Sequence, residues 1–169
     1  NINQVAEGKK VLLLDKEGMK DKFDFLHINY QAVSTIKEMM NPKLKADLCI
    51  ISGLTACTDE EREMLRSYQS KGGKLLLLNS KEVAKAIYPE HITSWIIPTE
   101  GDIVNMERND APVFDGIDVL ELRYFNNNKR EIPLACNATL KVNRNENLIE
   151  LAGQMKIHAY IDGGKPEDR

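Results

Sequence analysis

The 169-residue chain is 42% hydrophobic and 29% charged, with a net charge of −3, which is the make-up of an ordinary globular domain with enough chain for a core. Its basic residues are interspersed with acids, which argues against the clustered basic face of a nucleic-acid binder. No apolar run approaches the about 20 residues of a membrane helix, so no membrane partner is expected.

In chain order, Val11–Leu14 is an apolar run that predicts a first buried strand, with Asp15 at its carboxyl end. Gly18 to Leu26 predicts a short helix with Met19, Phe23 and Leu26 on one face. Ile28 to Val33 alternates loosely enough for a second strand. Ser34 to Met40 reads as a short helix stopped by Asn41-Pro42.

The clearest unit is Asp47 to Leu78. Leu48, Ile50 and Ile51 open it and Leu75–Leu78 close it, two apolar runs of the kind buried parallel strands carry. Between them Thr58 and Glu61 have the spacing of a capping box, with Asp59 and Glu60 favouring the positive helix end. Met64, Leu65 and Tyr68 form one stripe of the helix, and Gly72-Gly73 supplies its positive-φ stop. Asn79-Ser80 then predicts an N-cap for a helix carrying Val83, Ala84, Ile87 and Tyr88, ended by Pro89.

Up to this point the order β-α-β-α-β-α-β-α implies a parallel sheet with helices on both faces. Beyond Pro89 the pattern changes. Ile92 to Pro98 holds the single Trp, Trp95, whose expected role is core packing. Asp102 to Met106 reads as a strand, Asn109 to Gly116 as turns, and Ile117 to Leu122 as one or two helical turns. Leu134 to Val142, Leu148 to Leu151 and Ile157 to Ile161 read as antiparallel strands. The expectation is one α/β domain over residues 1–169, a flavodoxin-like three-layer parallel sheet flanked by helices, with an antiparallel C-terminal extension.

Complete catalytic constellations are absent from the sequence. Cys57 sits between a strand and a helix start, a setting that lowers a thiol pKa, yet it lacks the flanking glycines of a G-x-C-x-G elbow. His91 and His158 both follow it in the chain, and the pair Cys57 and His158 is the candidate for nucleophilic chemistry. Cys49 falls within an apolar run and reads as a buried thiol. Cys49, Cys57 and Cys136 have no metal-ligand spacing, and His27, His91 and His158 are isolated, so no metal and no cofactor is expected.

Open α/β sheets bind ligands at the carboxyl ends of their strands. Asp15, Ser52, Gly53, Thr55 and Asn79 occupy those positions and are the candidate ligand-binding residues. Ser52-Gly53-Leu54-Thr55 matches neither a dinucleotide fingerprint nor a Walker loop. Asn137-Ala138-Thr139 matches the glycosylation acceptor pattern inside an expected strand.

Three segments resemble a known family. They are DLCIISGLTACTDEEREMLRSYQSKGGKLLLL; Ala111-Pro112-Val113-Phe114-Asp115-Gly116-Ile117 with Leu122-Arg123-Tyr124-Phe125; and Ala159-Tyr160-Ile161-Asp162-Gly163 through Arg169. Together they are similar to the class I glutamine-amidotransferase-like domain of large bacterial glycoside hydrolases of the β-galactosidase type. Ala111 stands where that family commonly has His, and the amidotransferase nucleophile and its His-Glu partners have no counterparts here. The resemblance implies a flavodoxin-like domain that keeps the scaffold without that chemistry. It also implies a parent protein that degrades polysaccharide, in a periplasmic or secreted setting.

The leading expectation is therefore a non-catalytic accessory domain cut from a larger glycoside hydrolase-like protein. Its partners would be the other domains of the parent chain, a second copy in a homo-oligomer, or carbohydrate. The rivals are a Cys57-dependent hydrolase or amidotransferase relative, and a small-molecule binding module at the strand carboxyl ends.

Overall fold

The computed structural model describes residues 8–96, 103–106, 110–118, 120, 138–143 and 152–155. The chain forms two compact units, Asn1–Thr93 and Ser94–Arg169. The first contains β1 (Val11–Asp15), α1 (Met19–Phe25), β2 (Gln31–Val33), α2 (Ile36–Met39), β3 (Leu48–Ser52), α3 (Asp59–Ser70), β4 (Leu75–Leu78) and α4 (Lys81–Ile87). Its four strands make one sheet in the order β2-β1-β3-β4, and every pairing is parallel. This is the flavodoxin-like order, in which the chain leaves β1 for one side of the sheet and returns to β3 on the other. The crevice opened by that reversal lies at the carboxyl ends of β1 and β3.

Strand alternation divides the core into two layers. Leu12 and Leu14 of β1, with Cys49 and Ile51 of β3, pack with Ile36 and Met39 of α2, Leu65 of α3, and Val83 and Ile87 of α4. The opposite set, Val11, Leu13 and Ile50, packs with Phe23 of α1 and with Tyr30, Leu48 and Leu78. Helices thus cover both faces, and β1 and β3 are buried on both, which explains their unbroken apolar runs.

The helix signals in the sequence are physical ones and the structure contains them. Thr58 accepts from the Glu61 N–H at 3.2 Å, and the Thr58 N–H donates to Glu61 Oε2 at 2.8 Å, a complete capping box. Leu65 is the fully buried residue of the α3 stripe, with Tyr68 packed against the same core. Gly72 adopts φ +86°, and the close approach that forbids a side chain is at Gly73, where a Cβ would run into the Tyr68 ring.

Other expectations need correcting at their edges. The second strand is only Gln31–Val33, because the chain before it is spent on closing α1 through His27 at φ +54°. Ser80 does not cap α4 with its side chain. Its hydroxyl instead donates to the Leu78 carbonyl at 2.9 Å and accepts from the Leu54 N–H at 3.0 Å, tying the β3 and β4 ends together.

After α4, β5 (Ile92–Ile96) pairs with β7 (Thr139–Val142), and β6 (Ile103–Met106) pairs antiparallel with β8 (Ala152–Met155). Pro112–Phe114 is a single 3-10 turn. The antiparallel extension is therefore present, although its strand β8 begins at Ala152, just after the expected Leu148–Leu151. Residues 148–151, 157–161 and, of 117–122, positions 119, 121 and 122 lie outside the described residues.

Candidate functional site

Register brings the site together. Asp15 of β1 pairs with Ser52 of β3, and Ser52 with Leu78 of β4, so three consecutive strands end in one row. The turn after β1, residues 16–18, folds across that row. The Lys16 N–H donates to the Ser52 carbonyl at 2.9 Å and the Gly53 N–H to the Leu78 carbonyl at 3.0 Å.

Glu17 sits at the centre. One carboxylate oxygen accepts from the Ser52 hydroxyl at 2.7 Å, and the other accepts from the Asn79 carboxamide. Ser52 is fully buried, and Glu17 satisfies the polar group that an apolar strand would otherwise bury unpaired. Gly53, at φ +69°, lies against the same side chain: a Cβ there would stand 2.8 Å from Glu17 Cβ. Glycine is required at position 53 both by its backbone and by that contact.

Asn79 is the last piece. It follows β4 directly, precedes α4, and holds φ +46°. Its carboxamide, on this strand-to-helix turn, is engaged by Glu17.

Four of the five candidate ligand residues, Asp15, Ser52, Gly53 and Asn79, therefore converge on one edge, and Thr55 lies beyond it on an exposed loop. Asp15 has an architectural task. Its oxygens accept from the backbone N–H of Glu17 at 3.1 Å and of Lys20 at 3.0 Å, closing the start of α1. Burial pushes its carboxyl up, but the N–H groups of Lys20, Glu17, Met19 and Gly18 outweigh that and hold it below its ordinary value.

Cys57 departs from expectation. It is half-buried at the approach to α3, where the helix end was expected to lower its pKa. The thiol is instead pushed up: burial comes first, Glu61 and Asp59 add to it, and Arg62 opposes them. Burial is the main reason, and the acids that make a good helix start add to it by opposing the field that would stabilise a thiolate. Its suggested partner His158 lies outside the described residues, as do Cys136 and Asn137.

Cys49 is buried and its thiol is also raised, chiefly by burial, and Tyr68 is pushed up to about 12 by burial and its bond to Cys49. No group of three or more His, Cys, Asp or Glu among the described residues is placed to hold a metal ion. A groove of about 990 Å³ between α2 and α3 is lined by Met40, Pro42, Met64 and Tyr68, and none of the candidate residues reaches it.

Glu17 is the residue that sequence reasoning missed. A polar Ser closing an apolar strand was the available signal, because a buried hydroxyl needs a partner. The partner lies 35 residues away, and nothing local names it. No family model, curated protein or solved structure matches this chain.

Proposed function

We propose that this chain is a non-catalytic accessory domain of an exported glycoside hydrolase-like protein that degrades polysaccharide. The observation that carries the non-catalytic part is the Glu17 bridge. The carboxyl ends of β3 and β4, where an open α/β sheet would act on a ligand, are bridged by the chain's own Glu17 carboxylate, bonded to the Ser52 hydroxyl and the Asn79 carboxamide. The raised Cys57 thiol supports the same reading.

The glycoside hydrolase setting rests on the resemblance of the Asp47–Leu78, Ala111–Phe125 and Ala159–Arg169 segments. Such a domain serves packing, oligomer contacts or carbohydrate contact.

The test is made on the natural full-length polypeptide. Cys57→Ala is expected to leave its polysaccharide hydrolysis unchanged, while removal of residues 1–169 lowers its melting temperature or its oligomeric order. Loss of turnover in Cys57→Ala, or a full-length polypeptide without any glycoside hydrolysis, contradicts the proposal.

A further inference from the structure

We infer that Ser52 and Asn79 form a carboxylate-binding cradle, which Glu17 fills from within the chain and which a ligand bearing a carboxylate group enters by displacing it. The inference does not depend on the parent hydrolase. It rests on how two donors from different strands meet the two oxygens of one carboxylate.

The Ser52 hydroxyl, fully buried at the end of β3, reaches Oε1 at 2.7 Å, and the Asn79 carboxamide, just past β4, reaches Oε2. A planar, two-oxygen acceptor satisfies both together. A lone hydroxyl or carbonyl serves only one of them, and leaving the buried Ser52 hydroxyl without an acceptor is costly. Both donors are neutral, which suits a single negative charge better than a phosphate. Gly53 clears the approach, since any side chain there would occupy the channel that the Glu17 stem now uses.

Displacement is open to the chain because the Glu17 carboxylate is not what holds the turn. The backbone of the turn is fixed separately, by the Lys16 N–H on the Ser52 carbonyl and the Glu17 N–H on Asp15. Glu17 is exposed at the surface, so rotation about its side-chain bonds uncovers the cradle while the sheet and α1 stay in place. An internal ligand has the advantage of a tethered one, with an effective concentration in the millimolar range. The occupied site is therefore selective against weak anions, and removing the tether opens it.

Glu17→Ala should make the chain a receptor for free carboxylates. Melting is followed with sodium formate, acetate, phosphate or sulfate, each against sodium chloride at matched ionic strength. Formate and acetate are expected to raise the Glu17→Ala melting temperature saturably, by about 3–6 °C at ten times the half-saturating concentration. Phosphate and sulfate should do no more than chloride, and Glu17→Ala/Asn79→Ala should lose the response. An indifferent Glu17→Ala, or an equal rise in the double variant, overturns the inference.

Should Glu17→Ala fail to fold, the wild-type chain gives the answer. Its Asn79 side-chain amide resonances should shift with acetate and not with chloride, and fixed resonances up to about 0.5 M acetate overturn the inference equally, since that far exceeds a millimolar internal competitor.

Discussion

At the scale of single residues, the carboxyl edge of the sheet is held by three side chains that each solve another's problem. Ser52 needs an acceptor, Asn79 needs a reason to hold φ +46°, and Glu17 supplies both. A non-glycine residue in the left-handed region costs on the order of 1 kcal/mol, less for Asn than for most. Asn79→Ala loses the bond and keeps the unfavourable backbone, whereas Asn79→Gly loses only the bond. Urea unfolding should therefore find Asn79→Ala less stable than Asn79→Gly by about 1 kcal/mol; equal stabilities would mean that the turn carries no strain.

Asp15 gives the acid side of stability its sign. Its folded carboxyl lies below its ordinary value, so the stability it contributes is complete above the unfolded pKa and is lost as pH falls through the folded one. Asp15→Asn should flatten the loss of stability below about pH 4, and a variant with the acid limb of the wild type would remove Asp15 from this role.

At the scale of elements, α3 was the most legible part of the chain. The Thr58–Glu61 box, the Leu65 stripe and the glycine stop are all local, and all are where their chemistry puts them. Thr58→Ala should cost about 1 kcal/mol in denaturant unfolding, because it releases the Glu61 N–H; a neutral effect would mean that packing alone holds the helix start. The β1 and β3 strands were equally clear, since burial on both faces leaves a continuous apolar run.

Elements shorter than about two turns were less legible. In α2, only Ile36 and Met39 are buried, and its start is capped by the Thr35 hydroxyl, which accepts from the Glu38 N–H, and by the Glu38 carboxylate, which accepts from the Ser34 N–H. The site was half visible. Strand ends pointed to Asp15, Ser52, Gly53 and Asn79, because position after an apolar run is a local property. The role of Glu17 was invisible because it is created by the β1–β3 register, a contact between distant segments.

For the molecule as a whole, the apolar content is arranged for a two-sided sheet in the first unit. Leu14→Ala, at the centre of the helix-covered layer, should cost about 2–5 kcal/mol, whereas Phe25→Ser should change stability by no more than about 0.5 kcal/mol.

The central claim is that Cys57, at the approach to α3, is not an activated nucleophile. The most direct measurement is the rate at which iodoacetamide alkylates Cys57 at pH 7 in the folded chain, followed by peptide mapping and compared with the urea-unfolded chain. Burial and the acids of α3 predict folded-state labelling slower by about threefold or more. Faster labelling of folded than of unfolded Cys57 would contradict the account.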